Sequence, residues 1–314
     1  MIKIVLEEET FFDCQACGRC CRADWKITIE ASKAEQLRAR GPELSVIQEP
    51  SGSWSLNTKS GQCAFLLPDQ LCSIHKHQGE EAKPLSCQIF PYIFHPTPDG
   101  LHVGLSHYCP SVRAKHGRPL EEHRQHIEKL AAATSWPKQN HPIELRRGRD
   151  LGWRSYLLLE AEILERLKRG PGLQVFLSLF WGLHQTREVL GHYELNAYFS
   201  DYPFKLSRFV SIQAQKTAER WDISLERTEL NSEPTTYLKS LVRRKFLIKN
   251  QFFLDGLLTL ALVNSLLLRA SNPETCLEKL ELELSHGTGI QVSLLARFEK
   301  LLIDETKDII ECSP

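Results

Sequence analysis

The chain has no surplus of either charge. Lysine plus arginine and aspartate plus glutamate each number 39, so the formal net charge is zero. Nucleic acid is therefore not an expected partner. Long apolar runs are missing too. The longest, FFLDGLLTLALVNSLLL from Phe252 to Leu268, contains Asp255 and Asn264 and is short for a bilayer span. It reads as a buried core helix, and no membrane contact is expected. The opening MIKIVLEEETFF lacks the basic and apolar stretches of a secretory leader. The expected compartment is the cytoplasm, where thiols stay reduced. Two cofactor signatures are also absent. No GxGxG follows a strand and opens a helix, and Gly287-Thr288-Gly289 reads as a linker. A radical-type C-x3-C-x2-C run starts at Cys17 and Cys21, but Asp24 stands at its third position.

Cysteine, by contrast, is concentrated. There are ten, and eight lie between Cys14 and Cys109. Even scatter would put about three or four there, and in a reducing compartment such clustering reads as metal ligation or redox chemistry before disulfides. The segment FFDCQACGRCCRADW holds Cys14, Cys17, Cys20 and Cys21. Cys63 follows in GQCAFL, Cys72 in LCSIH, Cys87 in KPLSCQIFPY and Cys109 in HYCPS.

A two-residue gap lets a tight turn aim both sulfurs at one ion, and C-x2-C-x2-C wraps three thiolates around one centre, as in bacterial ferredoxin runs. The adjacent pair is harder to place. In extended chain, neighbouring side chains point to opposite sides, so Cys20 and Cys21 are poor joint ligands of one ion. Eight thiols leave open one centre or two. His75, His77 and His107 lie close in sequence to Cys72 and Cys109 and are secondary candidates as nitrogen donors for zinc. A purely architectural metal is an alternative to a functional one, since a structural metal supplies on the order of 10 kcal/mol to folding.

Composition changes near residue 118. Before it, short apolar stretches such as KITIE and CAFLL read as strands and loops, with one helix near Ala31 to Arg40 stopped by GPE. So loop-rich a region is expected to lack a sufficient interior and to be stapled by metal. After it the pattern is helical: Glu121–Ala133, Leu151–Arg169 with Asp150 as cap, Leu173–Leu190, a helix capped by Ser232 with Pro234 in its first turn, the apolar run, a helix opened by Asn272-Pro273, and Ile290–Asp304. The expected fold is mainly α. A loop-rich, metal-stapled cysteine-cluster domain (1–118) with short strands precedes an antiparallel helical array (119–314). Arg243-Arg244-Lys245 reads as a solvated face.

At the cysteine motifs the sequence resembles the YkgJ-like cysteine-cluster proteins, described as zinc- or iron-chelating domains, a group that includes the flagellin lysine-N-methylases. The C-x2-C-x2-C-C run, GQCAFL and LCSIHKHQGEEAKPLSCQIFPY carry the resemblance over about residues 11 to 113. YLKSLVRRKFL and ARFEKLL extend it more weakly. It implies a metal site at Cys14, Cys17, Cys20, Cys21, Cys63, Cys72, Cys87 and Cys109. Relatives often carry Arg where this chain has Lys83 before Pro84.

Three functions stay open. One is a metal-binding protein holding an iron–sulfur cluster or zinc, with iron–sulfur favoured by the ferredoxin-like triple. Another is an S-adenosylmethionine-dependent protein-lysine methylase with a protein substrate. The last is an adaptor whose helical part grips a partner. No catalytic or cofactor-binding residue is assigned by the sequence.

Overall fold

A computed structural model describes residues 2–170, except 24, 42–44, 59–60 and 137–142, scattered positions within 172–183, and residues 233–286 except 250–251. The expected helix Ile290–Asp304, the Gly287-Thr288-Gly289 linker, the Ser232 cap and much of 173–190 lie outside the described residues. The chain divides into two units, Met1–Pro137 and Lys138–Pro314. The first unit thus runs past the composition change at residue 118.

In chain order, the first unit contains β1 (Ile4–Leu6), β2 (Phe11–Phe12), β3 (Thr28–Ile29), α1 (Ala31–Arg40), β4 (Val46–Gln48), β5 (Trp54–Leu56), α2 (Ser73–Gln78) and α3 (Leu85–Ile89). It continues with β6 (Tyr92–Thr97), β7 (Gly100–Leu105), α4 (Pro110–Arg113), β8 (Arg118–Pro119) and α5 (Arg124–Ala132). Single 3-10 turns lie at Arg19–Arg22, Glu80–Ala82 and Leu120–His123. CAFLL is not a strand. It is a turn that closes through an isolated bridge between Leu66 and Cys72.

Two three-stranded sheets organise this unit, with orders β1-β7-β6 and β3-β5-β4. Leu101, Val103 and Leu105 alternate along β7 and are each buried, which is the period-2 pattern of a packed strand. Val103 and Leu105 join Tyr92, Cys109, Val112, Leu120, Ile127 and Leu130 in one hydrophobic cluster. That cluster draws α5 into the first unit. The second cluster joins the other sheet to α1 and holds Ile27, Ile29, Ala34, Leu37, Val46, Leu56, Cys63, Phe65 and Ile74. The expectation of a missing interior is therefore corrected. Outside the β6–β7 hairpin, many of these apolar residues sit on short strands, turns and helices, and pairing between distant segments gathers them.

Among the described residues, the second unit contains helices α6 (Trp153–Arg166), α7 (Glu233–Arg243), α8 (Phe246–Lys249), α9 (Phe253–Arg269) and α10 (Pro273–Glu281), with a small hairpin of β9 (Glu144–Arg146) and β10 (Arg149–Asp150). The region is helical, as expected. Among the described residues no helix is long and apolar enough to cross a membrane. Asn272 caps α10 by accepting the Thr275 N–H at 3.0 Å. Asp150 does not cap α6. Gly152, at φ +67°, holds that place, and its N–H donates to Asp150 Oδ1 at 2.8 Å.

The basic triplet is also corrected. Lys245 has φ +64° and separates α7 from α8, so the expected continuous helix is broken there. Arg244 and Lys245 are both buried. Arg244 makes a two-pronged pair with Glu281, at 2.6 and 3.0 Å, and Tyr237 Oη donates to the same carboxylate at 2.7 Å. Lys245 pairs with Glu160, which also accepts from Tyr156 Oη at 2.5 Å. Charge inside the core is tolerated because each carboxylate is met by both a cation and a phenol. Glu281→Ala leaves the Arg244 charge buried without this partner. It is expected to cost roughly 3–5 kcal/mol in urea unfolding, and an unchanged midpoint would contradict the pair's role.

Candidate metal centre

The first cysteines are positioned by a clamp on the residue before them. Asp13 N–H donates to the His116 carbonyl at 3.0 Å, and Ser111 Oγ donates to the Asp13 carbonyl at 2.5 Å. The Asp13 carboxylate pairs with Arg118 at 2.9 Å, and the Arg118 hydrogen bond holds its pKa below the ordinary carboxylate value. Ser111 lies two residues after Cys109, which sits at the start of α4. The clamp thus ties the base of the Cys14 loop to the Cys109 turn. Gly117 permits the approach. Its φ is +103°, and a Cβ there would stand 2.4 Å from the Asp13 nitrogen.

From Cys14 the chain curls back on itself. Ala16 has φ +53° and its N–H donates to Cys14 Sγ at 3.4 Å. Gly18, at φ +67°, then starts the 3-10 turn that carries Cys20 and Cys21. The pair is not in extended chain, as the sequence suggested. In a 3-10 turn consecutive residues diverge by about a third of a revolution. Their thiols hydrogen-bond to each other, and this bond lowers Cys20 to about 7 and raises Cys21.

A second connection is made by backbone. Cys63 N–H donates to the Cys21 carbonyl at 2.7 Å. Ser73 N–H donates to the Phe65 carbonyl at 2.8 Å and Leu67 N–H to the Leu71 carbonyl at 2.9 Å, which folds Cys72 back beside the Cys63 turn. Cys87 rides on α3, whose Ser86 Oγ donates to the Thr28 carbonyl at 3.1 Å. Cys21, Cys72 and Cys87 all pack against the cluster that contains Cys63.

Burial and mutual repulsion act together on these thiols. Desolvation pushes Cys63 and Cys109 each up to about 11 and raises Cys87 and Cys14. The charges of neighbouring cysteines push in the same direction. Lys83 opposes them at Cys14, Cys20 and Cys87. The sequence singled out Lys83 only as a change from Arg. Its placement beside three thiols was not legible, nor was the Asp13–Arg118 clamp, because both depend on distant pairing.

The described cysteines are free thiols. Cys14 and Cys17 are exposed, Cys63 and Cys109 buried, and the others between. The sulfurs are neighbours without being converged: among the described residues no three His, Cys, Asp or Glu side chains form a ready cage. His75 and His77 face solvent on α2, and His107 is buried just before Cys109. Cys276 packs beside the core of the second unit. Cys312 lies outside the described residues.

Residues 13–110 match the family model described as "CxxCxxCC: Putative zinc- or iron-chelating domain". The match covers about a third of the chain and shows what this segment is similar to. The matched segment begins at the Asp13 clamp and ends one residue past Cys109, so it encloses all eight clustered cysteines. Among curated proteins, the chain is 29% identical over 120 residues to the flagellar biosynthetic protein FliU of Salmonella muenchen, covering 34% of this chain and 71% of that one. It is 29% identical over 132 residues to a lysine-N-methylase of Salmonella typhimurium, covering 37% of this chain and 33% of that one. It is 30% identical over 105 residues to an uncharacterized protein of Methanocaldococcus jannaschii, covering 32% and 37%. The chain thus spans about a third of the length of the lysine-N-methylases it matches. No solved structure matches.

The close approach of the Asp13 clamp depends on Gly117. Gly117→Ala is expected to cost roughly 1–3 kcal/mol of stability through backbone strain and the clash with Asp13, read by urea unfolding. An unaltered midpoint would mean that the clamp does not hold the Cys14 loop.

Proposed function

We propose that residues 13–110 chelate metal through Cys14, Cys17, Cys20, Cys21, Cys63, Cys72, Cys87 and Cys109, and that the group held is an iron–sulfur centre. The carrying observation is the crowding of mutually repelling thiols, with Cys63 and Cys109 buried among them and Lys83 as the cation near Cys14, Cys20 and Cys87. Such a set fits a cation well, because binding releases the protons that burial retains and replaces repulsion by ligation. The family description supports zinc and iron equally. The C-x2-C-x2-C run favours iron–sulfur, since three closely spaced thiolates wrapping one centre is a ferredoxin pattern. When bound, an iron–sulfur centre supplies electron transfer or an exposed iron for an external ligand, whereas closed zinc supplies folding energy.

The protein's own part is to hold and shield the sulfurs. The β3-β5-β4 cluster keeps water from Cys63, and the Asp13 clamp fixes the Cys14 loop. Lys83 offsets residual negative charge, and its donation to Glu80 at 3.3 Å keeps it partly neutralised. In this reading metal adds stability to a unit that already has two small hydrophobic clusters, and the protein works in the reducing cytoplasm.

A second reading is a protein-lysine N-methylase that uses S-adenosylmethionine and takes a protein as partner. It rests on the names of relatives matched over a third of their length. Equilibrium dialysis against S-adenosylmethionine tests it: one molecule retained per chain supports the enzyme, and none removes it.

Anaerobic purification with metal and acid-labile sulfide analysis tests the first reading. Brown protein with stoichiometric iron and sulfide is expected. Colourless protein with zinc and no sulfide would replace iron–sulfur by zinc, and metal-free folded protein would remove the chelating function.

A further inference from the structure

A buried imidazole stands beside the Asp13 clamp. His123 ends the 3-10 turn that leads into α5 and is 8% exposed. Its Nε2 lies 2.7 Å from the carbonyl of Phe12, the residue before the clamp. A carbonyl can only accept, so Nε2 carries a proton and donates it there. The Asp13 carboxylate is farther from Nε2, at 3.9 Å, and is already met by Arg118. On the other side of the ring, Nδ1 lies 3.3 Å from Tyr92 Oη. The rings pack as well: Phe12 meets Tyr92 edge-on at 6.0 Å and His123 at 5.9 Å. The orientation of the imidazole is thus set from β6, while its proton is spent on β2.

The place needs such a donor. Strands β2 and β8 pair over two residues each. Pro119, opposite Phe11, has no N–H to give, and the Arg118 N–H donates to the Asp13 carboxylate at 3.0 Å. The imidazole adds a side-chain donor where the ladder is short of backbone ones. Building on the metal-chelating reading, we propose that His123 is a positioning residue for the candidate metal centre. Its Nε2–H holds the Phe12 carbonyl and so fixes where the Cys14 loop leaves β2, and Tyr92 Oη keeps the ring turned for that bond. Asp13 is held by Ser111, His116 and Arg118, and His123 holds the residue before it. Cys14 and Cys17 are exposed, so their positions rest on how the chain enters the loop. Without that hold the loop swings, and a metal held through it leaves sooner.

Three variants of the full chain separate this role from packing. In His123→Gln the amide nitrogen reaches the place of Nε2. In His123→Asn it reaches only that of Nδ1, and His123→Phe fills the space with no donor. The first readout needs no metal: amide hydrogen exchange at Asp13, compared with the amides of β7. The Asn and Phe variants are expected to speed exchange at Asp13 about tenfold, as the loss of one hydrogen bond implies, and to leave β7 unchanged. The Gln variant is expected to exchange like wild type. No acceleration, or the same acceleration at β7 and in the Gln variant, would overturn the local hold. The second readout is the rate of metal release from anaerobically purified protein into excess chelator, bathophenanthroline for iron or pyridylazoresorcinol for zinc. Faster release from the Asn and Phe variants, restored by Gln, is expected. Unchanged release beside faster exchange at Asp13 would overturn the link to the metal. Wild-type protein without metal would overturn the chelating reading itself, while the exchange comparison still decides whether His123 holds the loop.

Discussion

Sulfurs held close together and partly out of water repel one another as soon as they ionise. That repulsion is the constraint around which the first unit is arranged. Cys63, Cys87 and Cys109 are pushed toward their protonated forms by burial, and each is pushed further by neighbouring cysteines. A fold that only needed small apolar side chains at these places would gain nothing from the crowding. A fold that binds a cation gains from every thiolate it brings within reach. The crowding also explains Lys83, which sits where three of the thiols feel its charge.

The scaffold solves a positioning problem with short elements. Strands of two and three residues contribute little stability each, yet they join the ends of a segment of about a hundred residues. Cys21 meets Cys63 through one backbone hydrogen bond, and Asp13 meets Ser111, His116 and Arg118. Two small hydrophobic clusters support these joints. The second unit uses the opposite strategy. Long helices bury a large apolar core and enclose two ionic groups, Arg244 with Glu281 and Lys245 with Glu160.

Legibility followed the range of the interaction. Helix α1 was readable because a helical stretch at Ala31 ends at Gly41-Pro42, all within a dozen residues. The apolar run from Phe252 was readable for the same reason, and Asn272-Pro273 announced α10. The cysteine crowd was visible from spacing, and the family match over residues 13–110 agrees with it. What failed was long-range. Arg244 and Lys245 looked like surface charge because their partners lie 37 and 85 residues away. Much of the interior of the first unit was invisible because, outside β7, its apolar residues come from short strands, turns and helices that are far apart in sequence. The Cys20-Cys21 geometry was misjudged because Gly18 turns the chain into a 3-10 turn where extended chain was assumed.

The central claim is that these sulfurs themselves bind the metal. X-ray absorption at the metal edge of anaerobically purified protein tests it most directly. Sulfur neighbours at about 2.3 Å, with no nitrogen or light-atom neighbours required, are the expected result. A metal surrounded by nitrogen and oxygen, or an absorption edge with no metal signal in folded protein, would contradict it.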